Sequence, residues 1–237
     1  LNLIVGFTGL FSLGHAAFMS IGAYTSAVLT RNFNSPFIFA ILMSGLVASL
    51  AGILIGIPTL RLKGDYLAIA TLGFGEIVRV LALNNDYIGG AIGFNDIPQY
   101  TNWNYTFIMV VLTVVLISNF VKSSHGRACI SIRENEIASE AMGINTTFYK
   151  VLAFAIGAFF AGIAGSLYAN YFYFIKPDSF GFMKSIDILV MVVFGGLGSI
   201  PGSIIGALSL TVISTLLQSI PDLRMVIYAV ILFLIML

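Results

Sequence analysis

Long uncharged runs separated by short polar stretches dominate the pattern of residues along the chain. Three such runs occupy residues 32–60, 97–121 and 151–175 and contain 29, 25 and 25 residues. A charge at the centre of a bilayer costs roughly 2.5 to 3.5 kcal/mol, and a helix needs about 20 apolar residues to cross one. We therefore predict that each run is a membrane-spanning helix.

Two further uncharged runs are too long for one simple helix and contain glycine-rich breaks. Residues 1–30 contain GFTGLFSLGH at Gly6–His15, and residues 188–221 contain GGLGSIPG at Gly195–Gly202. Glycine weakens a helix interior and adopts left-handed backbone conformations. We therefore predict that each run forms two pieces, as Gly-interrupted or re-entrant helices.

The segment Asp65–Leu83 is apolar apart from Glu76 and Arg79 and is long enough to span. Because these two charges lie three positions apart, they can pair on one helical face. The prediction is an all-α polytopic membrane protein with about eight membrane segments. We expect residues 1–237 to form a single transmembrane domain, and to be a fragment without flanking spans because both ends fall within apolar runs.

Composition agrees with a membrane environment and excludes several classes of protein. Hydrophobic residues make up 59% of the 237 residues and charged residues 9%, against about 25% charged in an ordinary soluble domain. The net charge of +1 gives no electrostatic basis for nucleic-acid binding. A single cysteine excludes a disulfide framework and a cysteine-based metal site, and we expect no cofactor.

Basic residues in the polar stretches predict the orientation of the chain, because loops rich in Lys and Arg face the cytoplasm. Two loops placed inside contain six of them: Arg61, Lys63, Lys122, Arg127, Arg133 and Lys150. The stretch Asn84–Asn102, with two acidic residues and no Lys or Arg, is placed outside. Four basic residues oppose this assignment: Arg31, Lys176, Lys184 and Arg224.

The loop 122–150 is the most polar stretch, and its pattern predicts a short cytoplasmic helix. Ser131 and Glu134 have capping-box spacing, in which each side chain bonds the amide of the other residue. Gly143 suits a left-handed helix end. These signals predict a helix of about three turns over Ile132–Met142, too short and too polar to span.

The two faces of this predicted helix differ in character. Ile137, Ala141 and Ile144 recur on one face, whereas Glu136 and Glu140 lie on another. Such a helix either lies among lipid headgroups or docks into the groove of a partner. A headgroup helix is typically basic with bulky apolar residues, so the acidic composition favours docking.

Four sequence motifs, in order, resemble one family of transport proteins. They are GLFSLGHAAFMSIGAY at Gly9–Tyr24, RLKGDYLAIATLGFGEIVR at Arg61–Arg79, GRACISIRENEIASEAMGINTTFYKVLAFAIGAFFAGIAGSLYA at Gly126–Ala169, and VFGGLGSIPGSIIGA at Val193–Ala207. Over nearly its whole length the chain resembles the LivM-type permease subunits of bacterial ABC importers for branched-chain amino acids. The second motif is similar to the LivM-type rather than the LivH-type subunit.

The resemblance implies a multi-pass protein of the bacterial inner membrane that works with partners. These are two cytoplasmic ATP-binding subunits, a second, LivH-like permease subunit and an extracytoplasmic substrate-binding protein, besides membrane lipid. It also makes the loop 122–150 the site of the coupling helix that contacts the ATPase. The residues that fall on the family's coupling pattern are Glu136, Ala138, Glu140, Ala141 and Gly143.

The chain has no sequence signature of ATP hydrolysis. A Walker A phosphate loop needs a Gly-Lys pair, and no such pair occurs anywhere in the chain. We therefore expect no enzymatic activity, with ATP hydrolysed on partner subunits.

The two glycine-rich breaks are candidates for the translocation path, because broken helices at membrane depth are tolerated where they line a cavity. The breaks also resemble each other, since GLFSL at Gly9–Leu13 is similar to GLGSI at Gly196–Ile200. The candidate path residues are Gly9, Ser12, His15, Glu76, Gly195, Gly196 and Gly198. A second set of glycines is expected only to allow close helix packing: Gly157, Gly162 and Gly165.

Two other classes of function stay open on the sequence. Glu76 and Arg79 would serve an ion-coupled secondary transporter, although such a protein has no need of an acidic docking helix. Ser12 and His15 would serve an intramembrane hydrolase, but no third catalytic group accompanies them. The substrate is also open, because permeases of the resembled kind serve leucine-like amino acids, urea and short amides.

Overall fold

The computed structural model describes residues 1–60, 62 and 64–216, and in these residues the fold is built from helices. The α-helices of this part are α1 (His15–Arg31), α2 (Phe37–Thr59), α3 (Asp65–Leu83), α4 (Trp103–Lys122), α5 (Ser124–Glu134), α6 (Glu136–Ala141), α7 (Thr146–Phe172), α8 (Phe182–Phe194) and α9 (Ile200–Leu216). A π-helical turn, Leu3–Phe7, precedes α1, and 3-10 turns lie at Asp86–Ile88 and Pro177–Phe180. Three basic residues that were used to predict the orientation lie outside the described residues: Arg61, Lys63 and Arg224.

Four helices are long and apolar enough to cross a membrane, namely α2, α3, α4 and α7. They coincide with the three long uncharged runs and with the predicted Asp65–Leu83 segment. The helices beside the glycine breaks are shorter within the described residues, at 17 residues for α1, 13 for α8 and 17 for the part of α9 up to Leu216. The chain is thus an all-α polytopic membrane protein, whereas the count of eight segments stays a prediction.

Helix α7 packs along α1 and α2 at the centre of the fold, and glycines allow the close approach. A methyl group on Gly165 would overlap the carbonyl oxygen of Met19 on α1, and one on Gly22 would overlap the backbone of Gly162. On the other side, a methyl group on Gly162 would lie 2.5 Å from the carbonyl oxygen of Ser44 on α2. The predicted packing role of these small residues is confirmed.

The loops placed outside pack against each other and neutralise one of the opposing charges. Phe94 and Ile175 form a short antiparallel bridge that joins the loop before α4 to the end of α7. Arg31 lies over the ring of Phe94 and pairs with Asp96 at 3.6 Å. An outward Arg31 is therefore compensated by an acidic residue on the same side.

Helix α4 stands apart from the other spanning helices. None of its residues is buried among the described part of the chain, and its main helical neighbour is α5. An apolar helix of this kind needs lipid or another protein around it. On its inner side α4 forms one wall of the cavity described below.

Candidate functional site

The first glycine break is a turn fixed inside the helical bundle. Gly9 adopts φ +72°, in the left-handed region that favours glycine. The amide of Leu13 donates to Thr71 Oγ1 of α3 at 3.0 Å, and the amide of Ala16 donates to Ser185 Oγ of α8 at 3.2 Å. These bonds satisfy amides at the start of α1, where a helix cannot satisfy its own.

The second glycine break, between α8 and α9, is joined to the first by Asn2. The amide of Gly198 donates to Asn2 Oδ1 at 2.9 Å, and Asn2 Nδ2 donates to the carbonyl of Ser199 at 2.8 Å and to Ser203 Oγ at 2.6 Å. Gly196 and Gly198 have φ values of +90° and +81°. Hydrogen bonds between residues almost 200 positions apart thus join the two glycine turns, and we refer to the joined turns as the double turn.

Arg133, from the loop placed in the cytoplasm, inserts where the two turns meet. Its Nη1 donates to the carbonyl of Gly6 at 2.7 Å, and its Nε bonds Glu134 at 3.0 Å. A methyl group on Gly9 would lie 2.9 Å from Arg133 Cγ, and one on Gly198 would lie 3.0 Å from Arg133 Nη1. The glycines therefore leave the space that the arginine fills.

A cavity of about 620 Å³ lies beside this double turn. The π-helical turn and helices α1, α4, α7, α8 and α9 form its walls, which are mostly apolar. Its polar and charged lining residues are Asn2, His15, Thr113, Lys184, Asp187 and Ser203. Its size falls within the roughly 300 to 1,000 Å³ typical of small-molecule sites.

A second cavity, of about 510 Å³, follows towards the C-terminal end of α4, where Lys122 lines it. Both cavities are lined by Phe7 of the π-helical turn, Val114 of α4, and Ile200 and Ile204 of α9. These four apolar residues line both cavities, and we refer to them as the shared wall.

The predicted path residues divide into three groups. His15 lines the larger cavity and Gly198 the smaller one. The second group belongs to the two turns themselves and contains Gly9, Ser12, Gly195 and Gly196. Glu76 is absent from the walls of both cavities.

Glu76 instead belongs to a charge cluster. Arg79 Nε donates to Glu76 Oε2 at 2.8 Å, as their spacing predicts, and Arg79 Nη1 bonds Asp178 at 2.9 Å. The cluster ties α3 to the 3-10 turn before α8. Because Glu76 is neutralised and lies away from the cavities, this geometry does not favour the ion-coupled alternative.

Ser12 and His15 do not form a catalytic pair. Ser12 Oγ and His15 Nδ1 are both buried, and neither has a hydrogen-bond partner among the described residues. A nucleophile and its base need to be within hydrogen-bond reach of each other. The geometry therefore gives no support to the hydrolase hypothesis.

The loop 122–150 forms two helices, so the predicted single helix over Ile132–Met142 is wrong. Asn135 is extended, at φ −159° and ψ 108°, and it separates α5 from α6. Its Oδ1 accepts from the amide of Ala138 at 3.0 Å, which makes Asn135 the N-cap of α6. The predicted capping box is absent, because Ser131 lies inside α5 and donates to the carbonyl of Ala128 at 2.9 Å.

The predicted helix end at Gly143 is confirmed. Gly143 has φ +84°, and its amide donates to the carbonyl of Glu140 at 2.9 Å. The amide of Ile144 donates to the carbonyl of Ser139 at 3.0 Å. This pair of bonds is the Schellman arrangement that ends many helices.

Helix α6 turns its acidic side towards the protein and its apolar side outward. Glu136 accepts from Lys150 Nζ of α7 at 2.6 Å, and Glu140 accepts from Thr146 Oγ1 at 2.6 Å. Lys150, expected at the inner end of a span, lies inside α7 and is only 5% exposed. By contrast, Ile137 is 75% and Met142 83% exposed. Ile137 lies on α6 and Met142 directly follows it. Ala138 and Ala141 of α6 are exposed as well.

Cys129 of α5 is buried between this loop and α7. Its Sγ lies 3.8 Å from the carbonyl oxygen of Tyr149. Burial raises the pKa of the Cys129 thiol to about 11, so the thiol stays protonated and unreactive at neutral pH.

Comparison with known proteins supports what the motifs imply. A family described as "Branched-chain amino acid transport system / permease component" matches residues 1–236. The chain belongs to this family. No solved structure matches the chain.

Several curated permeases are similar to the chain. Two of them are the LivM permease proteins of the high-affinity branched-chain amino acid transport systems of Salmonella typhimurium and Escherichia coli. Each is 39% identical to the chain over 253 aligned positions, and the alignment covers 92% of this chain and 60% of the relative. The E. coli LivH permease is 38% identical over 120 residues, or 50% of this chain and 37% of the relative. The chain thus spans about 60% of the length of these LivM relatives.

Sequence reasoning missed Asn2 and Arg133, which join the two turns. Asn2 carries a signal, because it is the only strongly polar side chain in the first seven residues. Arg133 carries no signal beyond its charge, and the preference of Lys and Arg for cytoplasmic loops already accounts for that charge. Their partners lie 127 or more positions away, beyond any local pattern.

Proposed function

We propose that this chain is the permease subunit of an ATP-driven importer for branched-chain amino acids in the bacterial inner membrane. Family membership and the similarity to LivM permeases of branched-chain amino acid transport systems support this substrate class. The two cavities provide the path, and the shared wall lies where its outer and cytoplasmic parts meet.

Helix α6 is the docking element for the ATP-binding subunit. Its exposed apolar side chains, led by Ile137, suit insertion into a groove of a partner. Glu136 and Glu140 hold α6 on α7, so a push on α6 is passed to the membrane helices. Ala138 and Ala141 permit a close approach, and Gly143 ends the helix.

The Arg133–Gly6 hydrogen bond is the observation that carries this proposal. It connects the loop of the docking helix directly to the double turn beside the cavities. Closure of the ATP-binding subunits would shift α6 and α5 as a unit. Arg133 would then displace the second turn relative to the first and widen or close the passage at the shared wall, as in gating between discrete states.

The complete importer contains this chain, a second, LivH-like permease subunit, two ATP-binding subunits and an extracytoplasmic binding protein. The resemblance of half of this chain to LivH is consistent with a paired permease. The exposed apolar surface of α4 suits contact with lipid or with that second permease. ATP is hydrolysed on the cytoplasmic partners.

Reconstitution of the assembled importer in liposomes tests the proposal. Wild-type complex should take up leucine only when ATP and the binding protein are present. Ile137→Asp should lower uptake about tenfold or more, because it places a charge in a desolvated contact, while the complex stays in the membrane.

Tyr87→Asp is the matched control, since Tyr87 is also exposed but lies in the loop placed outside. Equal uptake by both variants would contradict the docking role of α6. Leucine accumulation by the chain alone under an ion gradient would overturn the whole proposal.

A further inference from the structure

Most of the polar side chains that line the larger cavity already have partners within the protein. Asn2 donates to Ser203 Oγ at 2.6 Å, as part of the double turn. Thr113 Oγ1 donates to the carbonyl of Met109 at 2.7 Å within α4. These three side chains therefore serve the fold, and none of them needs a ligand.

The two charged side chains of the cavity wall are engaged as well. The Lys184 ammonium lies over the ring of Tyr168, 6.0 Å from its centroid, and Asp187 has a partner of its own. His15 is the sixth polar lining residue, and its Nδ1 has no hydrogen-bond partner among the described residues. The imidazole is therefore the polar group of this cavity that is left for a ligand.

The structure holds the His15 ring in place without bonding Nδ1. His15 is the first residue of α1 and is only 6% exposed. Its ring packs edge-on against Phe18, with the ring centroids 6.2 Å apart, and a methyl group on Gly157 of α7 would lie 3.7 Å from its Cε1. Because Nδ1 is enclosed and His15 lines the cavity, Nε2 is the ring nitrogen that can meet a ligand there.

The surroundings of this nitrogen favour a negatively charged oxygen. With its proton on Nε2, the imidazole is a hydrogen-bond donor. The start of α1 also carries the positive end of the helix dipole, and its N-cap residue, Gly14, has no side chain to neutralise it. A hydrogen bond to a carboxylate is stronger than one to a neutral carbonyl, so this end of the cavity suits a carboxylate better than urea or an amide.

An apolar wall begins directly beside the imidazole. Met19 lies one turn beyond His15 on α1, Ala161 lies one turn beyond Gly157 on α7, and both line the cavity. An aliphatic side chain fits against such a wall. A cavity of about 620 Å³ also has room for several water molecules of roughly 30 Å³ each, so an α-ammonium can keep part of its hydration.

We propose that His15 determines substrate specificity in the larger cavity, with Nε2 donating to the carboxylate of an aliphatic α-amino acid. The aliphatic side chain of this substrate lies along the wall at Met19 and Ala161. This inference rests on the proposed transport function, and it names the group of the substrate that is recognised and the residue that recognises it.

Ligand binding to the permease–ATPase complex in nanodiscs, without the binding protein, tests the assignment. Four probes are titrated by saturation-transfer NMR: L-leucine; 4-methylpentanoate, which has no ammonium; 4-methylpentanamide, which has a neutral carbonyl; and 3-methylbutylamine, which has no carboxylate. The wild type should bind leucine and 4-methylpentanoate more tightly than the amide or the amine.

His15→Phe keeps an aromatic ring but removes the donor. It should weaken the binding of leucine and 4-methylpentanoate about tenfold or more, while 3-methylbutylamine binds as before. His15→Gln keeps an N–H donor at this position and should retain the preference for the carboxylate. A purely structural role for His15 would change the binding of all four probes alike.

Two variants serve as matched controls. His125→Phe is the same substitution in α5, at a residue that lines neither of the two cavities. Thr113→Val removes a polar group from the wall of the same cavity, but one that bonds within α4. Both should rank the four probes as the wild type does.

An unchanged preference for the carboxylate in His15→Phe would overturn the inference. If His15→Phe fails to assemble, the wild-type ranking decides, because equal binding of 4-methylpentanoate and 3-methylbutylamine would also overturn it. So would a wild-type complex in which leucine gives no signal. None of these results touches the proposed function, which is tested separately by ATP-dependent leucine uptake into liposomes.

Discussion

The two glycine turns share a local conformation but differ in how they are held. Gly9 and Gly196 occupy matching positions in GLFSL and GLGSI, and both adopt a left-handed φ. The first turn is enclosed on one side, where Thr8 and Ser12 are almost fully buried, whereas Gly9 and Phe11 are exposed. The second turn is more open, since Leu197 is half exposed and a methyl group on Gly196 would meet nothing within 4 Å.

Because the two glycine turns are held differently, we assign them separate roles although their sequences are similar. The first turn is bonded to α3 and α8 and serves as the fixed side of the path. The second turn is tied to the first through Asn2, with Arg133 between them. We infer that the second turn is the side that moves when the cytoplasmic loop moves.

The largest expected effect is at the fixed turn. Gly14→Ala would place a methyl group over the carbonyl oxygen of Thr71, and overpacking of this kind costs about 1 to 3 kcal/mol. The thermal midpoint of the detergent-solubilised protein should fall. Gly73→Ala in α3 is the control, because a methyl group there has open space; an equal fall in both variants would contradict the fixed turn.

Loss of Arg133 should affect transport more than stability. Arg133→Met removes a charged hydrogen bond to Gly6, a contact of about 1.5 to 3 kcal/mol, so leucine taken up per ATP hydrolysed should fall about tenfold. Arg127→Met, on the same helix and bonded among the described residues only to Ser124, at 3.5 Å, should leave this ratio unchanged. A normal ratio in Arg133→Met would mean that the bond transmits no motion.

Separation of the two turns should have a smaller effect. Asn2→Leu leaves the amide of Gly198 without its side-chain partner, at a cost of about 1 to 3 kcal/mol. Protease cleavage within residues 195–199 should become faster, and uptake should fall. Cleavage at the wild-type rate would show that Asn2 does not hold the second turn.

The smallest expected effect is at Gly196. Gly196→Ala introduces only backbone strain at φ +90°, worth about 1 to 2 kcal/mol. Gly143→Ala at φ +84° also meets open space and should cost the same stability. Only Gly143→Ala should reduce the uptake per ATP, because it alters the end of the docking helix.

Local patterns predicted the features whose cause is local. The uncharged runs predicted α2, α4 and α7, the spacing of Glu76 and Arg79 predicted their ion pair, and Gly143 predicted the end of α6. The error in the cytoplasmic loop is instructive. Ser131–Glu134 and Asn135–Ala138 both have capping signals, and the second one operates because the Asn135 backbone is extended.

The sequence by itself determined the membrane class, most helix positions, the glycine breaks and the resemblance to a permease family. Tertiary structure decided that the two breaks meet, that Arg133 lies between them and that Lys184, Asp187 and His15 surround one cavity. The physical reason is range. Helix periodicity and charge spacing act within a few residues, whereas these contacts depend on how α7 draws α1 and α2 together and on where α8 packs against α1.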